Sequence, residues 1–257
     1  MSRTVVITGA SSGLGEALAL RFAAEGARLG LIGRNETRLQ DVAARCRAAG
    51  AGEVETASID VRADAELSEW IAAFDARYPV DLLIASAAIV GGAPQGETET
   101  AETSREVFAV NVLGLVNAVY AVLPGMIQRG SGQITVISSL AGFVTLPDLP
   151  SYSASKATVI KYGLALRDML RPRGIKVSVA CPGYIDTPMG RQLNGRKLFV
   201  LTAEGAADTI ARGLTHDRRI IAFPFLLAWI TRISAVMPAW LVRAAVPSFR
   251  VTARDND

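Results

Sequence analysis

The sequence has little of what several common kinds of functional site require. It contains one histidine, His216, and two cysteines, Cys46 and Cys181, which have no CxxC or Cys–His neighbours. A metal site and a disulfide framework are therefore not expected. No run of five like charges occurs among the 27 Lys and Arg and the 24 Asp and Glu, so we expect no nucleic-acid interface.

Long apolar segments are also lacking. The apolar run at residues 5–7 is too short for a signal peptide, and the stretch 220–230 is interrupted by Pro224. That stretch falls short of the roughly 20 residues that a membrane span needs. We expect a cytoplasmic protein whose cysteines are reduced.

The sequence does have a regular alternation of strand-like and helix-like segments in a chain of 257 residues. Strands are predicted over residues 5–7, 28–32, 54–59, 80–84, 133–137, 175–180 and 219–223. Helices are predicted after the first strand up to Gly26, and then over residues 36–49, 65–78, 103–127, 152–170 and 203–214. The alternation predicts an α/β fold, a doubly wound parallel sheet of about seven strands with helices on both faces. Residues 1–257 are expected to form one domain, with 220–257 as an apolar C-terminal extension.

A glycine-rich turn follows the first strand and opens a helix. Glycines there let the backbone approach a phosphate closely, and the helix N-terminus offers free N–H groups and a positive dipole. The predicted phosphate-binding residues are Gly9, Ser11, Ser12, Gly13, Leu14 and Gly15. The spacing is Gly-x3-Gly-x-Gly rather than Gly-x-Gly-x-x-Gly, so a plain strand-to-helix turn is the alternative interpretation.

The same turn also fits Gly-x-Ser-x-Gly, the nucleophile elbow of serine hydrolases. A hydrolase would need a histidine base, and Ser11, Asp186 and His216 occur in an order that could form a triad. His216, however, lies in a polar segment before a strand, which is typical of a solvated surface histidine. This alternative is therefore disfavoured.

Four residues could form a catalytic constellation. Tyr152 and Lys156 are four apart at the start of a predicted helix and share one face. A cation beside the phenol would lower its pKa from about 10 and make Tyr152 a general acid or base. Ser139 lies just past the fifth strand and Asn111 in the helix before it. The carboxyl ends of parallel strands are where such sheets bind ligands.

Together these motifs resemble the short-chain dehydrogenase/reductase family. The turn at residues 8–15 matches its Thr-Gly-x3-Gly-x-Gly motif, and the four residues match its tetrad in order and spacing. The segment 182–187 matches its Pro-Gly motif. The resemblance covers about residues 3–215 and implies a Rossmann-type fold, a nicotinamide cofactor and interconversion of a ketone or aldehyde and an alcohol. A cofactor-binding regulator without turnover is the alternative, which the intact tetrad disfavours.

The resemblance also implies a role for each residue. Tyr152 would donate a proton to the carbonyl oxygen, and Ser139 would hydrogen-bond that oxygen. Lys156 would bind the nicotinamide ribose, and Asn111 would hold a water that links Lys156 to solvent. The further cofactor contacts that it implies are Asp60, Val61, Ser86, Ala87, Pro182, Gly183, Ile185 and Thr187.

The end of the second strand bears on the choice of cofactor. Gly33 stands where NAD-binding relatives place a carboxylate for the ribose 2′-hydroxyl, and Arg34 follows it. A guanidinium can pair with a 2′-phosphate, a contact worth about 1.5–3 kcal/mol. This predicts at least about a tenfold preference for NADP(H). The alternative is that Arg34 points to solvent or stacks on adenine without selecting, so that NAD(H) also serves.

Two segments depart from the family pattern. Residues 85–88 read Ala-Ser-Ala-Ala where Asn-Asn-Ala-Gly is usual, and this stretch borders the cofactor. The C-terminal extension resembles that of relatives of microsomal hydroxysteroid dehydrogenases, whose C-terminal helices form a dimer and lie against membrane. We expect a homodimer or homotetramer.

The C-terminal extension carries an apolar stripe at helical spacing, formed by Phe225, Trp229, Ile233, Val236 and Trp240. With Arg232 and Arg243 between and beside them, the stripe suits peripheral contact with a membrane. Because it is short and Pro238 breaks it, we favour a tail that covers the substrate cleft or a partner subunit. Either arrangement predicts a hydrophobic carbonyl or alcohol substrate, such as a lipid, a steroid or an aromatic ketone. Further apolar residues that support this are Phe143, Val144, Tyr184 and Met189.

Overall fold

The computed structural model describes residues 3–92, 97–194, 197, 199–234, 237 and 252–253. The strands are β1 Thr4–Thr8, β2 Arg28–Gly33, β3 Val54–Ser58, β4 Leu82–Ala85, β5 Gly132–Ile137, β6 Ile175–Pro182, β7 Ile185–Asp186, β8 Leu193–Asn194, β9 Leu201–Thr202, β10 Ile220–Phe223 and β11 Thr252–Ala253. The α-helices are α1 Gly13–Ala23, α2 Glu36–Ala48, α3 Asp64–Arg77, α4 Ala101–Phe108, α5 Gly114–Arg129, α6 Pro150–Leu170, α7 Pro188–Arg191, α8 Ala203–Thr215 and α9 Phe225–Ser234. Short 3₁₀ turns lie at Leu140–Phe143 and Arg171–Arg173, and a π-helical turn at Ala109–Leu113 joins α4 to α5.

Seven strands form one parallel sheet in the order β10-β6-β5-β4-β1-β2-β3. The order reverses at β1, which pairs with β2 on one side and with β4 on the other. Apolar residues form all of β4 and the centre of β1, as expected of strands buried on both faces. The predicted Rossmann-type, doubly wound sheet is confirmed, and β10 is part of it.

Helices cover both faces of this sheet because their apolar residues recur at helical spacing. In α3, for example, Leu67, Ile71 and Phe74 are fully buried. One core cluster lies between the sheet and α3, α5 and α6, and a second lies between the sheet and α1, α2 and α8. The two layers leave the carboxyl ends of the strands open as a common edge.

The helical stretch 101–129 is long and apolar enough by composition to cross a membrane. Charged residues such as Glu102, Arg105 and Glu106 interrupt its apolar residues in the sequence. Half of its most apolar window is buried, and α5 packs against α3 and against β4. In this fold it is a core helix of the α/β sandwich.

Beyond β10, the structure describes the C-terminal extension at Pro224, α9, residue 237 and β11. In α9, Leu227, Ala228 and Thr231 are buried, whereas the opposite face is exposed. The exposed apolar side chains of that face are Phe225, Leu226, Trp229, Ile230 and Ile233. The remaining members of the predicted stripe, Val236 and Trp240, lie outside the described residues, as do Pro238 and Arg243.

Candidate active site

A cavity of about 320 Å³ opens at the carboxyl edge of the sheet. It is lined by eighteen residues that the sequence singled out for catalysis or cofactor binding. These are Gly9, Ser11, Ser12, Gly13, Leu14, Gly15, Arg34, Asp60, Val61, Ser86, Ala87, Ser139, Tyr152, Lys156, Pro182, Gly183, Ile185 and Thr187. Asn111 is the exception, because it is buried behind the wall of the cavity.

The glycine-rich turn has the geometry that its sequence predicts. Gly9 and Gly13 have φ values of 69° and 61°, which disfavour a side chain. A Cβ on Gly9 would lie 2.8 Å from the Ala87 Cα, and one on Gly13 would lie 3.3 Å from the Thr187 side chain. Helix α1 begins at Gly13, so its free N–H groups face the same cavity. The turn and the cavity therefore fit the phosphates of a dinucleotide.

The unusual segment after β4 is held by its backbone. The Thr8 Oγ1 accepts hydrogen bonds from the Ser86 N–H at 3.1 Å and from the Ala87 N–H at 3.2 Å. These bonds need no side chain at positions 86 and 87. The loss of the usual asparagines thus leaves the link between β1 and β4 in place.

The adenosine end of the cavity carries guanidinium groups and lacks a carboxylate at the end of β2. Gly33 lies against Ser11, where an added Cβ would be 3.2 Å from the serine Oγ. Arg34 is exposed and lines the cavity together with Arg38, which the sequence analysis did not single out. Arg34 precedes the N-cap residue of α2, so its spacing of four from Arg38 is not a helical one, and only the basic character of this segment could have indicated Arg38.

The side chains of Tyr152 and Ser139 meet in the middle of the cavity. The Ser139 hydroxyl is close enough to the Tyr152 phenol to lower its pKa. The Ser139 Oγ also donates to the Pro182 carbonyl oxygen at 3.4 Å and accepts from the Ala141 N–H at 3.1 Å. Burial raises the pKa of Tyr152 above its ordinary value, and the effect of Ser139 offsets this rise only in part. The predicted lowering of this pKa was wrong for the protein as described, because desolvation of the phenolate outweighs the favourable contacts.

Lys156 is buried, and its ammonium lies over the face of Tyr152. Its Nζ donates to the Ile137 carbonyl oxygen at 3.2 Å and lies 5.6 Å from the centroid of the Tyr152 ring. Burial lowers the pKa of Lys156 to about 8. A second contact fixes the same turn of α6, since the Ser138 Oγ donates to the Lys156 carbonyl oxygen at 2.7 Å.

Asn111 lies in the π-helical turn between α4 and α5. Its Oδ1 accepts from the Ile89 N–H at 2.7 Å, and its Nδ2 donates to the Ile89 carbonyl oxygen at 2.9 Å. The Nδ2 also lies 3.1 Å from the Ser155 Oγ. Asn111 therefore joins the loop after β4 to helix α6, and its predicted role in holding a water stays a prediction.

The other half of the cavity is largely apolar and comes from loops and α9. Its lining includes Leu140, Val144, Leu146, Leu149, Tyr184, Met189, Leu193 and Leu227. Phe143 was expected here, but it does not line the cavity; its ring instead lies 5.1 Å from the Arg232 guanidinium. These residues lie in irregular segments or in short elements that follow the main strands, so no single period in the sequence identifies them as a group.

The serine hydrolase alternative is wrong. Ser11 follows β1 at the carboxyl edge of the sheet, whereas His216 is exposed and precedes β10 at the amino edge. Asp186 is paired with the Arg191 guanidinium at 2.8 Å. The three side chains cannot form a triad across the sheet.

Comparison with known proteins agrees with this geometry. The family described as short chain dehydrogenase matches residues 3–197. An uncharacterized oxidoreductase of Myxococcus xanthus is 37% identical over 250 residues, which are 96% of this chain and 98% of that protein.

Two solved structures show the same fold. A single-substitution variant of actinorhodin polyketide ketoreductase with NADPH has a TM-score of 0.76 and 28% identity, covering 86% of this chain and 94% of that one. A short chain dehydrogenase from Mycobacterium paratuberculosis bound to NAD has a TM-score of 0.76 and 27% identity, with the same coverage. The chain belongs to the short-chain dehydrogenase/reductase family, and it is an oxidoreductase of alcohol and ketone groups with a nicotinamide cofactor.

Proposed function

We propose that the protein reduces hydrophobic ketones, or oxidises the corresponding alcohols, with a preference for NADP(H). The observation that carries this proposal is the convergence of Tyr152, Ser139 and Lys156 on one cavity, next to a glycine-rich turn that fits a dinucleotide.

Each side chain has a task in the proposed reaction. When bound, the cofactor supplies the hydride chemistry. Tyr152 donates its phenolic proton to the carbonyl oxygen, and its raised pKa keeps that proton in place near neutral pH. Ser139 donates a hydrogen bond to the same oxygen and thereby orients it. Lys156 binds the nicotinamide ribose hydroxyls, and its ammonium stabilises the phenolate that forms.

The proposed cofactor preference rests on Gly33, Arg34 and Arg38. Two guanidinium groups line the cavity after β2, and Gly33 supplies no carboxylate to repel a 2′-phosphate. One structural relative was solved with NADPH and another with NAD, so the preference is a property of these residues rather than of the family.

The proposed substrate class rests on the apolar loop side of the cavity. Leucines at positions 140, 146, 149, 193 and 227 line it. Binding of an apolar ketone would remove this surface from water. Each Å² of apolar surface buried in this way contributes about 25 cal/mol of favourable free energy. We also propose a cytoplasmic homodimer or homotetramer, and the exposed apolar side chains of Leu113 and Tyr120 support the association of subunits. Peripheral membrane contact through the tail is the alternative use of the exposed face of α9.

The test begins with a fluorescence titration of the purified protein with NADPH and with NADH. We expect NADPH to bind at least about tenfold more tightly, as a charge-assisted phosphate contact predicts. A panel of aliphatic and aromatic ketones then measures turnover. Tyr152→Phe should lower kcat by about 10³-fold with unchanged NADPH affinity, since it removes the proton donor alone. Binding of neither cofactor, or an active Tyr152→Phe variant, would overturn the proposal.

A further inference from the structure

Helix α6 carries Tyr152 and Lys156, but its own flank cannot cap its first turn. The N-cap residue is Leu149, whose side chain has no hydrogen-bond acceptor, and Pro150 follows at the first helical position. Pro150 has no N–H, so Ser151 is the first residue of the helix with an N–H to satisfy. An acceptor for this group must come from elsewhere in the fold.

Glu99 supplies that acceptor from a loop 52 residues earlier in the chain. Its Oε2 accepts from the Ser151 N–H at 3.2 Å, and its Oε1 accepts from the Ser151 Oγ at 2.7 Å. The Oε2 also accepts from the Ser104 Oγ at 2.9 Å, which fixes the carboxylate against α4. A carboxylate at a helix N-terminus also interacts favourably with the positive end of the dipole.

The contact between Glu99 and Ser151 is closely packed. Ser151 is buried, and it directly precedes Tyr152. A Cβ on Gly91 would lie 2.7 Å from the Glu99 Oε1 and 2.8 Å from the Ser151 Oγ. The backbone of the loop after β4 therefore packs directly against the side chains of Glu99 and Ser151, which have little room to move.

A second tie lies on the other side of Tyr152. The Ser155 Oγ donates to the Tyr152 carbonyl oxygen at 2.7 Å and lies 3.1 Å from the Asn111 Nδ2. Tyr152 is thus flanked by two residues that are each held from outside α6. The family tetrad includes the second tie, through Asn111, but not the first.

We propose that Glu99 is a positioning residue for the reaction: it fixes the first turn of α6 so that the Tyr152 phenol meets the Ser139 hydroxyl. This inference rests on the proposed role of Tyr152 as proton donor. Glu99 acts through Ser151 and does not itself touch the substrate. Small displacements of a catalytic group lower the rate more than they lower binding. The signature of the role is therefore a change in kcat at nearly constant KM.

The experiment compares Glu99→Ala, Glu99→Gln and Ser151→Ala with wild type, and uses Glu102→Ala as the matched control. Glu102 is exposed in the first turn of α4, three residues from Glu99. We expect Glu99→Ala to lower kcat about tenfold, with KM and NADPH affinity within about twofold of wild type. Glu99→Gln keeps one acceptor oxygen and should recover part of this loss. Glu102→Ala should match wild type.

The change in kcat at constant KM separates positioning from a purely structural cap, and two further readouts test that both variants act through the contact of Glu99 with Ser151. Hydrogen exchange of the first-turn amides of α6 should accelerate in Glu99→Ala without cofactor. The effects of Glu99→Ala and Ser151→Ala on kcat should be less than additive, since both act through one contact. If Glu99→Ala folds poorly, Glu99→Gln and Ser151→Ala provide the same comparison.

A wild-type kcat in all the folded variants, whatever their melting temperatures, would overturn the inference and leave the proposed function standing. A wild-type protein that turns over no ketone would overturn both.

Discussion

The two halves of the cavity are built in different ways. The nucleotide half lies at the ends of β1, β2 and β3 and uses glycines, backbone N–H groups and a helix N-terminus. The substrate half lies beyond β5, β6 and β10 and uses apolar side chains from loops and α9. Ser139, Tyr152 and Lys156, the proposed catalytic residues, lie where the two halves meet.

This contrast has a physical origin. A phosphate is recognised by the same backbone geometry whatever the protein, so the nucleotide half needs small residues at fixed spacings. An apolar substrate is recognised by shape, which many combinations of leucine, valine and methionine can provide. Substitutions in the first half should therefore change cofactor binding sharply, and those in the second should change substrate preference gradually.

The largest effect is expected from Gly9→Ala in the nucleotide half. The new Cβ would lie 2.8 Å from the Ala87 Cα, and both the turn and the loop after β4 would have to move. We expect NADPH affinity to fall on the order of 100-fold, or nearly 3 kcal/mol. The titration with NADPH measures this directly.

Gly26→Ala is the matched control for Gly9→Ala. Gly26 has a similar φ of 74°, but an added Cβ would meet only the Gly50 carbonyl oxygen, at 3.9 Å. Gly26→Ala should lower the free energy of unfolding by about 1–2 kcal/mol, because an alanine is disfavoured in the left-handed backbone conformation. It should leave NADPH affinity unchanged. Equal losses of NADPH affinity in the two variants would contradict this prediction. They would show that backbone strain, and not the close approach of residue 9 to Ala87, determines NADPH affinity.

At the junction of the halves, Lys156 predicts a pH dependence of stability. Burial lowers its pKa from 10.5 to about 8, so between these values the unfolded chain binds the additional proton. The free energy of unfolding should therefore rise with pH through this window. Relative to Lys156→Met, which does not titrate, wild type should gain about 2 kcal/mol between about pH 7.5 and pH 10. Urea unfolding at both pH values measures this gain in the free energy of unfolding. If the gain were absent, the Lys156 ammonium would be hydrated in the folded protein.

The same contrast explains how much the sequence could predict. The alternation of strand and helix periods identified all seven strands of the main sheet, with boundaries within two residues. Asn35, Arg38 and Ile59 line the nucleotide half of the cavity but were not predicted. Glycine spacing identified the glycine-rich turn, the glycine at the end of β2 drew attention to Arg34, and the family motifs identified Asp60, Val61, Ser86 and Ala87. These features are local in sequence and repeat a fixed geometry.

Contacts that join distant segments could not be predicted in this way. Nothing near Glu99 or Gly91 indicates that they meet Ser151, because the contact exists only once α4, α6 and the loop after β4 are packed together. The predicted direction of the shift in the Tyr152 pKa was wrong for a related reason. The spacing of Tyr152 and Lys156 is visible in the sequence, whereas the burial that outweighs it belongs to the folded chain.

A smaller effect is expected from Arg34→Gln, which tests cofactor selection within the nucleotide half. Removing the guanidinium should weaken NADPH binding about tenfold and leave NADH binding unchanged, since only NADPH carries the 2′-phosphate. Arg218→Gln is the control, because Arg218 is exposed at the amino edge of the sheet. If Arg34→Gln weakened the binding of both cofactors equally, Arg34 would contact the adenine and not the 2′-phosphate. If it weakened the binding of neither, Arg38 would be the residue that selects the cofactor.

The smallest effect is expected in the substrate half, from Met189→Ala. Met189 is half-buried at the start of α7 and lines the cavity, so the variant removes apolar surface at modest cost to the fold. Losing about 1 kcal/mol of apolar contact should raise KM about fivefold for long-chain or aromatic ketones, and leave KM for a small ketone unchanged. Met169→Ala is the matched control, since Met169 is 54% exposed on α6 and does not line the cavity. If Met189→Ala instead changed NADPH affinity and not the ketone preference, α7 would belong to the nucleotide half of the cavity. The substrate half would then exclude the residues that follow Thr187 in α7.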